Sequence, residues 1–200
     1  IDTKPLHESP IDKVKDQLVA QLTAEEPVHR QRAANALGQI GDPGPTQALA
    51  NLLTDPSNQV RFSAAAALAT LDQAQGIDFL FQALRNTDSI LRANAVKFLA
   101  EVQSQSGSVE SQLISALSAE APLARAGAAQ VLGQARVQTA IASLIEATTD
   151  KTAEVRVNAI IALGQIGTGQ SRARLESLRT DDDATVAYYA EWALGQLGPS

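Results

Sequence analysis

The sequence predicts an all-α superhelix, a solenoid of about six stacked helix pairs with a 31-residue period, and three observations carry that prediction. The first is self-similarity. The stretch at 155–167, VRVNAIIALGQIG, recurs with variations at 29–41, 60–71, 91–102, 124–135 and 186–198. The second position of each copy is Arg30, Arg61, Arg92, Arg125, Arg156 and finally Ala187, at steps of 31, 31, 33, 31 and 31 residues, and a Leu follows each seven residues later. The second observation is helical periodicity within a copy. Val155, Ala159, Ala162 and Ile166 cluster on one side of a helical wheel with Leu163 beside them, whereas Val157, Asn158, Ile161 and Gln165 point away. The third is a further apolar run upstream of each copy, such as Leu49, Leu52 and Leu53, or Leu80, Phe81 and Leu84, or Ile141, Leu144 and Ile145. Each repeat therefore reads as helix, turn, helix.

Taken in order, residues 1–10 mix charge and proline without period and are expected to form a flexible arm, with 11–198 forming a single repeat domain. The first helix starts near Ile11, with Pro10 at its entry. Pro27 marks the turn into the second, and the run GDPGP at 41–45 breaks the chain before Thr46–Thr54. Asp55-Pro56-Ser57-Asn58 is a turn by composition, since Asp and Asn bond back to the main chain and Pro presets φ. The two extra residues in the step of 33 are expected in the polar loop 103–108, where an insertion costs little. Gly41, Gly167 and Gly198 stand where a helix C-cap favours positive φ.

Composition narrows the function. A formal net charge of −6 gives no basic stripe for phosphates, so no nucleic-acid partner is expected. No apolar stretch approaches the length of a membrane span. Absence of Cys removes thiolate chemistry and disulfides, which fits a cytoplasmic setting. His7 and His29 have poor neighbours for general-base work. Glu25-Glu26 and the acidic run 181–183 are read as helix-start acids, so no metal site is expected and the chain shows no self-sufficient catalytic site.

The recurrent Arg has two readings. An acid lies six residues earlier in Asp55…Arg61 and Asp150…Arg156, which suggests a structural ladder of Asp–Arg pairs stitching adjacent turns. The other reading is a row of cations for carboxylate ligands.

A 31-residue helix pair with VRxxAxxALGxIG in its second helix resembles the HEAT-like repeats of the phycobilisome-lyase group. Asp55, Arg61, Asp150, Arg156 and the Leu-Gly-Gln-Ile-Gly runs at 37–41 and 163–167 carry the resemblance, which covers roughly residues 11–198. It implies a binding scaffold acting on phycobiliproteins. One form is a subunit of a heterodimeric phycocyanobilin lyase, which attaches or removes the bilin at a phycobiliprotein cysteine; the other is a non-enzymatic adaptor for protein–protein interaction. On this reading the partners are a second lyase subunit, a phycobiliprotein, or both. No cofactor is held tightly, and phycocyanobilin is the transferred ligand. The Cys-His motif associated with isomerising lyase subunits is absent.

The partner or bilin surface is expected on the outward wheel positions of the second helices. Tyr188, Tyr189 and Trp192 are the two Tyr and one Trp of the chain and fall together on that stripe, beside Val157, Asn158 and Ile161. Phe62 falls on it in the second copy, and Arg32 or Lys97 would meet propionates farther along. Tyr and Trp offer a large apolar face with a polar handle. A core role for the three rings is the competing reading. Leu194 and Leu197 close to the C-terminus leave an apolar end that another chain is expected to cover.

Overall fold

The computed structural model describes residues 9–197, and among them are twelve α-helices and no strand. They fall into the six pairs that the repeat predicts. The arm expected at 1–10 and the cap expected at Gly198 lie almost wholly outside the described residues. The described residues divide into two compact blocks, the first ending at Phe79 and the second beginning at Leu80.

The first block contains α1 (Pro10–Gln21), α2 (Pro27–Ile40), α3 (Thr46–Asn51, prolonged by a 3-10 turn Leu52–Thr54), α4 (Asn58–Thr70) and the start of α5 (Ala74–Ala83). Ser9 caps α1 through its hydroxyl, which accepts from the Ile11 amide, and Pro10 and Pro27 occupy first-turn positions where a missing N–H costs nothing. Leu22, Ala33, Leu37, Leu49, Val60, Ala64 and Leu68 form the core, with Leu18 and Leu71 packed against it. Each fully buried Leu contributes about 1.5–3 kcal/mol of burial energy. The second helices of successive pairs approach very closely: a Cβ on Gly38 would stand 2.9 Å from the Cα of Ala67.

The second block contains α6 (Ser89–Ser106), α7 (Glu110–Ala116), α8 (Pro122–Gln134), α9 (Ile141–Ala147), α10 (Ala153–Ile166), α11 (Arg172–Leu178) and α12 (Ala184–Gln196). Its core runs through Leu99, Leu113, Leu132, Leu144, Ile160, Leu163 and Leu175. The close approach recurs in register. A Cβ on Gly133 would lie 2.6 Å from the Cα of Ala162, so small residues at this position let α8 and α10 pack main chain to main chain.

Helix ends follow the residue eleven places after each opening Arg. Gly41 and Gly167 sit there with φ of 74° and 75°, each donating its amide to the carbonyl of the Leu four residues back. Asp72 and Arg136 hold the same place with φ of 54° and 52°, and side chains in that region are strained. In the third repeat the place is Gln103, and the helix does not stop. The stretch 103–106 expected as loop is the last turn of α6; Gln103 is buried and donates to Glu110, and the positive-φ cap moves on to Gly107. The two extra residues thus lengthen a helix instead of a loop.

Candidate functional site

The predicted Asp–Arg ladder exists in a different register. Arg30 donates from Nε and Nη2 to the carboxylate of Asp55 at 2.7 and 3.0 Å, and Arg125 does the same to Asp150 at 2.6 and 2.9 Å. The partner is therefore 25 residues ahead, in the next repeat, and not the acid six residues behind. What lies behind is main chain: Arg125 Nη1 donates to the carbonyls of Ala119 and Glu120, and Arg30 Nη1 to those of Ala24 and Glu25. Arg61 likewise uses the carbonyls of Asp55 and Pro56 and donates to the Asn58 side chain; Arg156 uses the carbonyl of Asp150.

The physical reason is the planar fork of the guanidinium. One edge staples the turn that precedes its own helix, and the other edge faces forward to the next turn. Each acid is pre-aimed by an Asx turn, with Asp55 Oδ1 accepting from the Ser57 amide and Asp150 Oδ1 from the Thr152 amide. The hydrogen bond from Arg30 holds the Asp55 carboxyl below its ordinary value against the cost of burial, and Arg125 does the same for Asp150. The last rung is looser: Arg156 Nη2 lies 3.8 Å from Asp181. Arg30, Asp55, Arg125 and Asp150 carry structure, with both guanidinium edges occupied at Arg30 and Arg125.

The aromatic residues of α12 divide between packing and exposure. Val186, Ala190 and Ala193 fill the core side as the wheel predicts. Tyr188 is 67% exposed and Trp192 36%, whereas Tyr189 is half-buried between them. The rings meet edge to face, Tyr188 with Tyr189 at 5.3 Å and Tyr189 with Trp192 at 6.5 Å between centroids. Trp192 leans on the main chain of α10, where a Cβ on Gly164 would stand 2.8 Å from its Cζ3. Val157 and Ile161 on α10 are half-buried.

Two residues of the expected stripe are not at the surface. Asn158 is only 7% exposed; its amide donates to the Glu154 carbonyl at 2.8 Å and its oxygen accepts from Gln130 at 2.8 Å, so it ties α10 to α8. Phe62 is 2% exposed and meets Phe79 edge to face at 5.4 Å. The wheel failed at both because helices in a stack are covered on two flanks as well as underneath, leaving a narrow exposed strip. Arg32 is exposed on α2 of the first block. Lys97 is exposed on α6 of the second, with Nζ 4.0 Å from Glu101 and 5.5 Å from the Phe98 ring centroid.

The sequence reading also passed over a cavity. About 230 Å³ of open space lies between α6 and α8, lined by Arg92, Ala93 and Val96 on one side, Leu123, Ala126 and Gln130 on the other, and Glu154 at the edge. The signal available was the acid slot of the fourth repeat, six residues before Arg125, which holds Ala119.

Stacked helix pairs, close second helices, a guanidinium ladder and an exposed aromatic strip define an α-helical repeat scaffold. The HEAT repeats family profile matches residues 15–100 and 110–195, and the chain belongs to that family. The match is to HEAT repeats at large and not to the phycobilisome-lyase group. Comparison with curated proteins gives no significant match. Among solved structures, the archaeal HEAT-like repeats protein from Thermococcus onnurineus NA1 is 13% identical, with 92% of this chain and 87% of that one covered and a TM-score of 0.50. Human deoxyhypusine hydroxylase in complex with glycerol is 24% identical over 92% of this chain and 74% of that one, at a TM-score of 0.48. A designed armadillo repeat protein in complex with the peptide (KR)4 is 20% identical over 90% and 98%, at 0.47. The chain is thus a HEAT-repeat scaffold of a kind suited to protein–protein interaction. No helix among the described residues is long and apolar enough to cross a membrane.

Proposed function

We propose that the chain docks a protein partner on the aromatic face of α12 and that this partner is a phycobiliprotein. The observation that carries the docking surface is the exposure of Tyr188 and Trp192 on a helix whose core side is already filled by Val186, Ala190 and Ala193. Large aromatic side chains held rigid by neighbours cost little entropy to bury against a partner, and such residues dominate binding energy. Trp192 is braced on α10 and Tyr189 props both outer rings, so the face is preorganised.

The identity of the partner is supported by the resemblance of VRxxAxxALGxIG to the phycobilisome-lyase repeats. In that role the chain is one subunit of a heterodimeric phycocyanobilin lyase or a phycobilisome adaptor. The nucleophile is the cysteine of the phycobiliprotein, and the scaffold holds protein and chromophore in register. Phycocyanobilin stacks on the same rings as the ligand in transit.

The test mixes the protein with phycocyanobilin and apo-phycobiliprotein, with and without a candidate second subunit, and follows bilin absorbance and covalent attachment. Binding and transfer that fall with Tyr188→Ala/Trp192→Ala, at unchanged helicity, are expected. Absence of binding to the apo-protein, of any absorbance change and of transfer overturns the phycobiliprotein reading and leaves a general protein scaffold.

A further inference from the structure

The ladder has a missing rung, and the cavity between α6 and α8 lies beside it. In the second block Arg125 finds Asp150 ahead of it, and Arg156 has Asp181. Ahead of Arg92 the corresponding slot is Ala119, which supplies no acid. Arg92 staples its own turn in the usual way, with Nη1 donating to the carbonyls of Asn86 and Thr87 at 2.8 Å each. Its Nε and Nη2, the edge that binds carboxylate in Arg30 and Arg125, have no hydrogen-bond partner among the described residues. Arg92 and Glu154 both line the cavity, and Glu154 has no ion-pair partner among the described residues either. Besides Ser89 and Gln130, the rest of the lining is apolar or small: Val96, Leu123, Ala126 and Gly127, with Ala93 exposed.

A cation and an anion that face one space without pairing select a ligand with the opposite order of charge. At about 230 Å³ the space is below the roughly 300–1,000 Å³ of pockets that enclose a small molecule. It suits side-chain ends from a chain lying across the helices.

We propose that this cavity is a peptide-recognition site, in which an extended segment of a partner places an Asp or Glu carboxylate on the open edge of Arg92 and a neighbouring Lys or Arg on Glu154. The partner's carboxylate completes the rung that Ala119 leaves open. A bidentate bond to a guanidinium edge fixes direction as well as charge, so the segment binds in one orientation. The site is separate from the α12 face and stands or falls without it.

The experiment uses the whole protein labelled with ¹⁵N and capped four-residue peptides containing an adjacent Asp and Lys. The Arg92 Nε–Hε resonance and the Glu154 amide are followed during titration. Both are expected to shift with the Asp/Lys peptide. Binding should weaken about tenfold, equivalent to about 1.4 kcal/mol, when the peptide's Asp becomes Asn or its Lys becomes Gln. Arg92→Gln should remove the preference for Asp over Asn, and Glu154→Gln the preference for Lys over Gln. Ala93 is exposed at the mouth, so Ala93→Phe closes the cavity without touching the core and should abolish binding while circular dichroism stays unchanged. The proposal is overturned if no shift appears at millimolar peptide, if the neutral peptides bind as well, if Ala93→Phe binds normally, or if free glutamate and lysine shift both resonances as strongly as the capped peptide does.

Discussion

The register of the ladder predicts an asymmetry that double-mutant cycles can measure. Asp150 accepts two hydrogen bonds from Arg125 at 2.6 and 2.9 Å, with the two side chains 14% and 8% exposed, and one more from the Thr152 amide. Replacing Asp150 by Ala removes the acceptors and leaves the open edge of Arg125 facing little water. Hydrogen bonds to charged groups contribute about 1.5–3 kcal/mol each in burial and much less in solvent, so a partly covered pair should cost about 2–3 kcal/mol. Most of this should reappear as coupling in the Asp150/Arg125 cycle, about 1–2 kcal/mol. The Asp150/Arg156 cycle should give less than about 0.5 kcal/mol, because Arg156 holds the main-chain carbonyl of residue 150, which the substitution keeps. Urea unfolding of the wild type, the three single variants and the two double variants supplies the numbers. Larger coupling to Arg156 than to Arg125 would refute the forward pairing and restore the pairing six residues apart.

Further outcomes follow from the same geometry. Asp72→Gly and Arg136→Gly should each raise stability by about 0.5–1 kcal/mol in thermal melts, because both hold positive φ where two other repeats use glycine. Gly133→Ala should lower it by about 1–3 kcal/mol, since its Cβ would meet the main chain of Ala162 and force α8 from α10. Stability should also fall in acid. Asp55 and Asp150 have carboxyls held below the ordinary 3.8 by Arg30 and Arg125, so their contribution is complete above about pH 4 and disappears as pH drops through the lowered values. Melting temperatures measured from pH 6 to pH 2 should show this loss, and Asp150→Asn should flatten part of it.

How far the sequence could be read depended on what each pattern leaves ambiguous. The period of 31 and the wheel positions give the pairs, since a repeated apolar stripe has no other way to be buried. The partner of each Arg was not legible. With a period of 31, an acid six residues before one Arg is also 25 residues after the preceding one, and only the direction of the guanidinium separates the two. Phe62 and Asn158 were misplaced because a wheel describes one helix and its neighbours cover both flanks. The exposure of Trp192 and Tyr188 was legible because Val186, Ala190 and Ala193 already account for the core side of α12. The third repeat's longer helix was hidden by its polar sequence. Gln103 looks like loop, yet it is buried against Glu110.

The aromatic face of α12 is the center of the functional reading, and Trp192 is the only tryptophan of the chain. Protein grown with 5-fluorotryptophan carries a single ¹⁹F reporter on that face. Titrated with unlabelled apo-phycobiliprotein, its one resonance should shift or broaden in step with complex formation measured by ultracentrifugation, and Tyr188→Ala should weaken both. A complex that forms while the Trp192 resonance stays where it was would contradict the account.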